Sequence, residues 1–351
     1  MKKKLLSALL IASMTFGMCA CGTKSGTSGS GNGGATTSSE TATTTDAKSS
    51  DGELVPMTLS FSTWVGSGPF YIAKEKGFYA EHGLDVDIKI VDDESTYASL
   101  MGSKSIDALG HVIDRELINY SKGIDEKVVM AYDQSTGGDG IVVSQDIQSV
   151  EDLKGKTVAL DKSSTSYFYF LTVISEAGLT EDDIQIKDMD ADSAGTSFVQ
   201  GEVDAAVTWE PWLSHANERE GGHLLCDSAD YLNTIVDVVS FTDAFIEAHP
   251  DEVAGFVAAW NEAVSWYYDG NEEEGDQIMA DGLSIDLDDF KSQVAGVTWY
   301  QKDTMATFFD DTTDNNIFDV SDRAIDFWVD RSLVDEKFDS KDLITTDFIE
   351  K

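Results

Sequence analysis

The sequence predicts an α/β protein of two parallel-sheet lobes joined by a two-segment hinge, and three observations carry that reading. Two stretches about 95 residues apart are copies of one supersecondary unit; short apolar runs alternate with amphipathic stretches from Met57 to Phe241; and beyond Asp243 the chain turns helical. A repeated strand, loop, helix, strand, helix, strand unit is the pattern of a parallel sheet flanked by helices, and two such units imply two similar lobes with a cleft between them.

In the first copy Leu59 to Thr63 form a strand, Trp64 to Gly68 a small-residue loop, and Pro69-Phe70-Tyr71 opens a helix that ends near Gly77. In the second, Thr157 to Leu160 form the strand, Asp161 to Ser166 the loop, and Tyr167-Phe168 opens a helix ending at Gly178. His82-Gly83-Leu84 then leads into a strand from Asp85 to Val91, as Ala177-Gly178-Leu179 leads into one from Ile184 to Asp188. Both copies finish on one phrase, Ser105-Ile106-Asp107-Ala108-Leu109 against Glu202-Val203-Asp204-Ala205-Ala206. Further strands are expected at Lys127 to Tyr132, Ile141 to Ser144 and His223 to Cys226. The turn-rich run Asp133 to Gly140 is the expected first crossing between lobes, and Asp237 to Thr242 the return. Helices follow at Asp243 to Ala248, Asp251 to Tyr268 and Ser321 to Asp330, expected to pack on the first lobe. The boundaries that result are lobe 1 at 55–138 and 241–351, and lobe 2 at 139–240.

Ahead of these lobes, Met1-Lys2-Lys3-Lys4 precedes an apolar run from Leu5 to Met18, too short to span a bilayer and typical of an export signal, taken as residues 1–20. Met18-Cys19-Ala20-Cys21-Gly22 resembles a bacterial lipobox, with Cys21 as the lipid-bearing first residue of the mature chain. Multiple acyl chains give stable attachment where one is marginal. Residues 21–54 are rich in Gly, Ser and Thr with few apolar groups, so they form a flexible tether. The sequence holds 65 acidic against 24 basic residues, a net charge of −41. A surface so acidic repels phosphate backbones, which argues against nucleic acid as a partner and leaves anchoring to the lipid.

In a parallel sheet the loops after strand carboxyl ends form the binding edge, and a helix starting there directs free N–H groups into the crevice. Gly66, Ser67 and Gly68 occupy that place in one copy, and Ser163, Ser164 and Thr165 in the other. Each helix start contributes roughly 0.3 to 1 kcal/mol towards an anion. Trp64 stands beside the first loop, and Val207-Thr208-Trp209-Glu210-Pro211-Trp212 places Trp209 and Glu210 at a third strand end, where an aromatic face and a carboxylate can meet a ligand. Asp114, Asp133 and Asp139 fall at strand ends or the crossing; if several face the cleft they imply a cationic amine, a nitrogen-bearing ring or an ordered hydrogen-bond network. Lys154-Gly155-Lys156-Thr157 ends like a phosphate loop, but Val150 stands where the glycine is needed. Asp133, Ser135, Gly137 and Asp139 space like a calcium loop whose twelfth position is Ser144 rather than glutamate, so no metal is expected. No Gly-x-Ser-x-Gly elbow and no His-Glu-x-x-His pair is present, which argues against an extracellular hydrolase, the alternative class.

Trp64 to Gly68 with Pro69-Phe70-Tyr71-Ile72-Ala73-Lys74-Glu75-Lys76-Gly77-Phe78-Tyr79, then Gly83-Leu84-Asp85-Val86, Val150-Glu151-Asp152-Leu153-Lys154-Gly155-Lys156 and Trp209-Glu210-Pro211-Trp212 resemble the ABC-importer solute-binding lipoproteins of the nitrate, sulfonate and taurine group. The same superfamily includes binders of thiamine pyrimidine precursors. The resemblance implies the type II periplasmic-binding-protein fold, whose lobes close on a solute and whose closed form docks on a membrane permease. It also places Gly66, Ser67, Gly68, Ser163, Ser164, Thr165 and the segment Trp209 to Trp212 at the ligand. Lys162 is the one basic residue in these loops, which disfavours inorganic nitrate and favours an organic anion or zwitterion such as a sulfonate or taurine, with a heteroaromatic solute as the alternative. A lipid-anchored monomer that binds without catalysis and without cofactor is the expectation.

Overall fold

The computed structural model describes residues 53–349. The export signal, Cys21 and the tether as far as residue 52 lie outside the described residues. Among the described residues eleven strands run β1 Val55–Phe61, β2 Leu84–Ile90, β3 Ala108–Val112, β4 Glu126–Ser135, β5 Asp139–Ser144, β6 Thr157–Leu160, β7 Gln185–Asp188, β8 Ala205–Trp209, β9 Gly222–Asp227, β10 Val236–Thr242 and β11 Val297–Trp299. They form two sheets, ordered β11-β4-β10-β3-β1-β2 and β7-β6-β8-β5-β9. Setting β11 aside, both sheets have one order: second, first, third, a crossing strand, then a fourth.

Each sheet is mixed rather than wholly parallel. β1 runs parallel to β2 and β3, and β6 to β7 and β8. β10 is antiparallel to both its neighbours, β3 and β4, and β5 to both of its own, β8 and β9. The reason is directional. Strands ascending through a lobe end at the cleft, whereas the strand arriving from the other lobe starts at the cleft and must run away from it. Strand pairing therefore puts residues 236–240 in the first sheet, and the chain crosses back between Asp227 and Val236.

Apolar periodicity explains how the helices cover the sheets. In the helix Pro250–Tyr268, Val253, Phe256, Val257, Trp260, Ala263, Val264 and Tyr267 are buried at spacings of three and four residues. Phe256 and Trp260 meet Phe70 of the helix Pro69–Glu75 with ring centroids 5.8 and 4.7 Å apart, which seats this helix on the first lobe. The helix Ile317–Asp330 departs from the expectation of packing on one lobe. Its Ile317, Val320, Ala324 and Ile325 join the first lobe's core, while Trp328 enters the second lobe's core beside Tyr167, and Phe327 meets Phe168 edge to face. Apolar residues on two faces let it span the junction. Among the described residues no helix is long and apolar enough to cross a membrane.

Candidate functional site

The carboxyl ends of the parallel strands and the amino ends of both crossing strands converge between the lobes. A cavity of about 30 Å³ lies there. The first lobe lines it with Ser62, Trp64, Glu94, His111, Tyr132 and Asp237, and the second with Asp139, Thr165 and Trp209. Asp139 and Asp237 occupy equivalent places, at the start of β5 and of β10. Outside this cavity, and sharing Trp209 with it, a groove of about 620 Å³ is lined by Asp92, Asp93, Asp161, Asp188, Asp190 and Asp192 together with Ser163 and Trp212.

The loop after β1 sits behind the cavity. Ser67 and Gly68 donate their N–H groups to Trp64 O and Val65 O in a tight turn, and the Ser67 hydroxyl reaches Tyr132 Oη at 3.5 Å. Trp64 Nε1 donates to Asp133 Oδ2 at 2.9 Å. A Cβ on Gly66 would stand 1.9 Å from that same Oδ2 and 2.2 Å from Nε1, so only glycine lets the carboxylate and the indole close on the backbone here. At Gly68 a Cβ would meet Met279 Sδ at 2.5 Å. Gly66, Ser67 and Gly68 thus build the wall against which Trp64 and Asp133 are fixed.

The matching loop of the second lobe is tied from across the cleft. Arg115, in the first turn of the helix Ile113–Ser121, donates Nη2 to Lys162 O at 3.0 Å and to Ser164 O, and its guanidinium lies 5.0 Å from the Trp328 ring. Beside it Thr165 Oγ1 donates to Asp114 Oδ1 at 3.2 Å. Ser164 Oγ accepts from Ser166 N as a helix cap, whereas Ser163 is exposed and bonds Asp161 Oδ1. A second tie runs from Trp209 Nε1 to Thr63 O at 3.3 Å. Glu210 turns to its own helix, accepting from Ser214 N at 3.0 Å and Ser214 Oγ at 2.7 Å.

Electrostatically the cavity is dominated by buried carboxyl groups. Burial raises Asp139 to about 8, helped by Asp237, Glu210 and Glu94 and opposed by a hydrogen bond from Ser135. Burial likewise raises Asp133 to about 7 against the hydrogen bond from Trp64 and the pull of the neighbouring Asp237. Asp237, facing Asp133 across the β10–β4 pairing, is held well above the carboxylate range by burial and by that neighbour. His111 is the cavity's basic group: burial pulls it down, but Glu116 at 2.7 Å and Glu94 at 3.4 Å bracket the ring and raise it to about 10.

Trp64, Asp139, Thr165 and Trp209 of the expected residues therefore line the cavity, Asp133 backs it, and Ser163 opens on the outer groove; Asp114, Ser164 and Glu210 serve contacts within the protein. Sequence reading missed Glu94, His111, Tyr132 and Asp237. Extending the repeat past its shared phrase would have flagged one end of β3, because the register Asp107 to Asp204 places Val112 opposite Trp209, and both line the cavity.

A family model described as NMT1/THI5 like matches residues 64–274. The chain belongs to the NMT1/THI5-like family. Among its relatives, a protein of Bacillus subtilis (strain 168), named provisionally as an aliphatic sulfonates-binding protein, is 28% identical over 291 residues, covering 81% of this NMT1/THI5-like chain and 84% of its own length. The taurine-binding periplasmic protein of Escherichia coli (strain K12) is 23% identical over 209 residues, 58% of this chain and 64% of that one. The crystal structure of the periplasmic aliphatic sulphonate binding protein SsuA from Escherichia coli superposes with a TM-score of 0.68 at 21% identity, covering 82% of this chain and 97% of that one. This NMT1/THI5-like chain has the periplasmic-binding-protein fold.

Proposed function

We propose that this chain is the extracytoplasmic solute receptor of an ABC importer: it binds without chemistry of its own, acts as a monomer, and hands a small organic solute to a permease. The observation that carries the reading is one cavity between the lobes, built by equivalent strand ends of both and flanked by the cross-lobe ties of Trp209 and Arg115. A cavity of about 30 Å³ admits little more than a water or two. Solute entry therefore needs the lobes or their side chains to part, so capture is by closure.

Relatives named for aliphatic sulfonates and taurine support a sulfonate or taurine as the solute. Trp64, Tyr132 and Trp209 around the cavity support a second reading, a heteroaromatic solute such as a thiamine pyrimidine precursor. A thermal-shift panel of taurine, ethanesulfonate, nitrate, hydroxymethyl-pyrimidine and riboflavin tests the receptor reading, since a ligand at 100 times its Kd adds about 2.7 kcal/mol. A rise with one class and recovery of that compound unchanged is the expected result; conversion to product overturns it. The receptor is held at the membrane by lipid on Cys21, so Cys21→Ala should release it into the medium, and continued membrane retention would contradict the anchor.

A further inference from the structure

We propose that the inter-lobe site selects a solute bearing a cationic nitrogen, a protonated amine or an amidinium, held between Asp139 of one lobe and Glu94 and Asp237 of the other with Trp64 and Trp209 against its apolar part. This rests on the receptor reading and narrows it.

An anion would need a cation or free N–H groups to meet it. Within the cavity the basic group is His111, already bracketed by Glu94 and Glu116. The neighbouring guanidinium, Arg115, is occupied by the carbonyls of Lys162 and Ser164 and by the face of Trp328. Ser67 and Gly68 direct their amides back into their own turn. No lysine or arginine lines the cavity or the outer groove among the described residues.

A cation, in contrast, would find what it needs. Asp133 is fully buried, its Oδ1 has no donor, and it faces Asp237 across the β10–β4 pairing. Facing carboxyl groups with little access to water must either keep their protons or find a counter-charge, and a cationic solute supplies the second. Asp139 approaches the same space from the opposite lobe at 3% exposure, so a positive nitrogen between them would relieve both sides at once and favour the closed state. Tryptophan and tyrosine faces beside carboxylates are the surroundings that hold an organic ammonium by cation–π attraction. Six aspartates along the outer groove place the same preference at the entrance, and Trp209 lines both spaces.

Matched probes test this by thermal shift and calorimetry on the full chain: taurine with isethionate, benzamidine with benzamide, and choline with 3,3-dimethylbutanol. The expected result is binding by a cation-bearing member and at least tenfold weaker binding by its uncharged-nitrogen or hydroxyl partner. Asp139→Asn and, separately, Glu94→Gln should each weaken that cation about tenfold or more while the variants still melt cooperatively. If isethionate or ethanesulfonate binds as tightly as taurine, the inference falls and the receptor reading stands. If a cation binds but both variants bind it unchanged, the inference also falls. If no member of either panel binds, both fall.

Discussion

Asp139, Asp133 and His111 keep protons that the unfolded chain would release at lower pH. For the two aspartates the native value lies near 8 and 7 because burial penalises their charged forms, with Asp237, Glu210 and Glu94 adding to Asp139, against an unfolded value of about 4. Between those limits the native state binds more protons than the unfolded one, so stability falls as pH rises. His111, raised to about 10 by its two glutamates, acts in the same direction above the ordinary histidine value. The unliganded protein should therefore melt at a higher temperature at about pH 5.5 than at about pH 8.5, and Asp139→Asn should narrow the gap. Differential scanning calorimetry across that range checks it, and a higher melting temperature at alkaline pH would contradict it. At this scale the sequence was only partly legible. The spacing of Gly66-Ser67-Gly68 suits an anionic ligand and announces that something must approach the backbone closely without naming it; beside Gly66 the space is filled by the carboxylate of Asp133. Glu94, His111 and Asp237 carried no local motif, because they meet only once the strands are aligned.

Among the elements, the helix Ile113–Ser121 has the most consequential position, since its first turn projects Asp114 and Arg115 from the first lobe onto the helix start of the second. Removing Arg115 would leave Asp114 buried at 1% exposure without the nearby guanidinium, 3.7 Å away, and free two carbonyls. Arg115→Ala should lower stability by about 3 kcal/mol, read from urea unfolding. Arg115→Lys should recover little, because one point donor cannot both bridge the carbonyls and stack on Trp328. Unchanged stability in the alanine variant would show that the tie carries no load. Strands were the most legible elements, because alternating apolar runs bounded by turn residues mark β1 to β9 to within a few positions. The helix Ile317–Asp330 was located but not placed: an apolar stripe says that a face is covered, not that Trp328 and Ile325 belong to different lobes.

For the molecule as a whole, the internal repeat was the strongest signal, and the identical order of the two sheets is its structural counterpart. The net charge of −41 sets a field that draws cations in and slows anions, in keeping with the acid-lined outer groove. What composition could not convey is that a few of these acids are gathered, dry, at the junction. The antiparallel strands also dictate the order of assembly. From β5 to β9 the second lobe is contiguous and can close once Asp227 has been made. The other lobe must wait: β3 and β4 cannot be joined until β10 slots between them, about a hundred residues after Ser135. Until then a nascent chain carries two unsealed edges that a neighbouring copy could zip onto, so newly made molecules need shielding from one another far more than finished ones do.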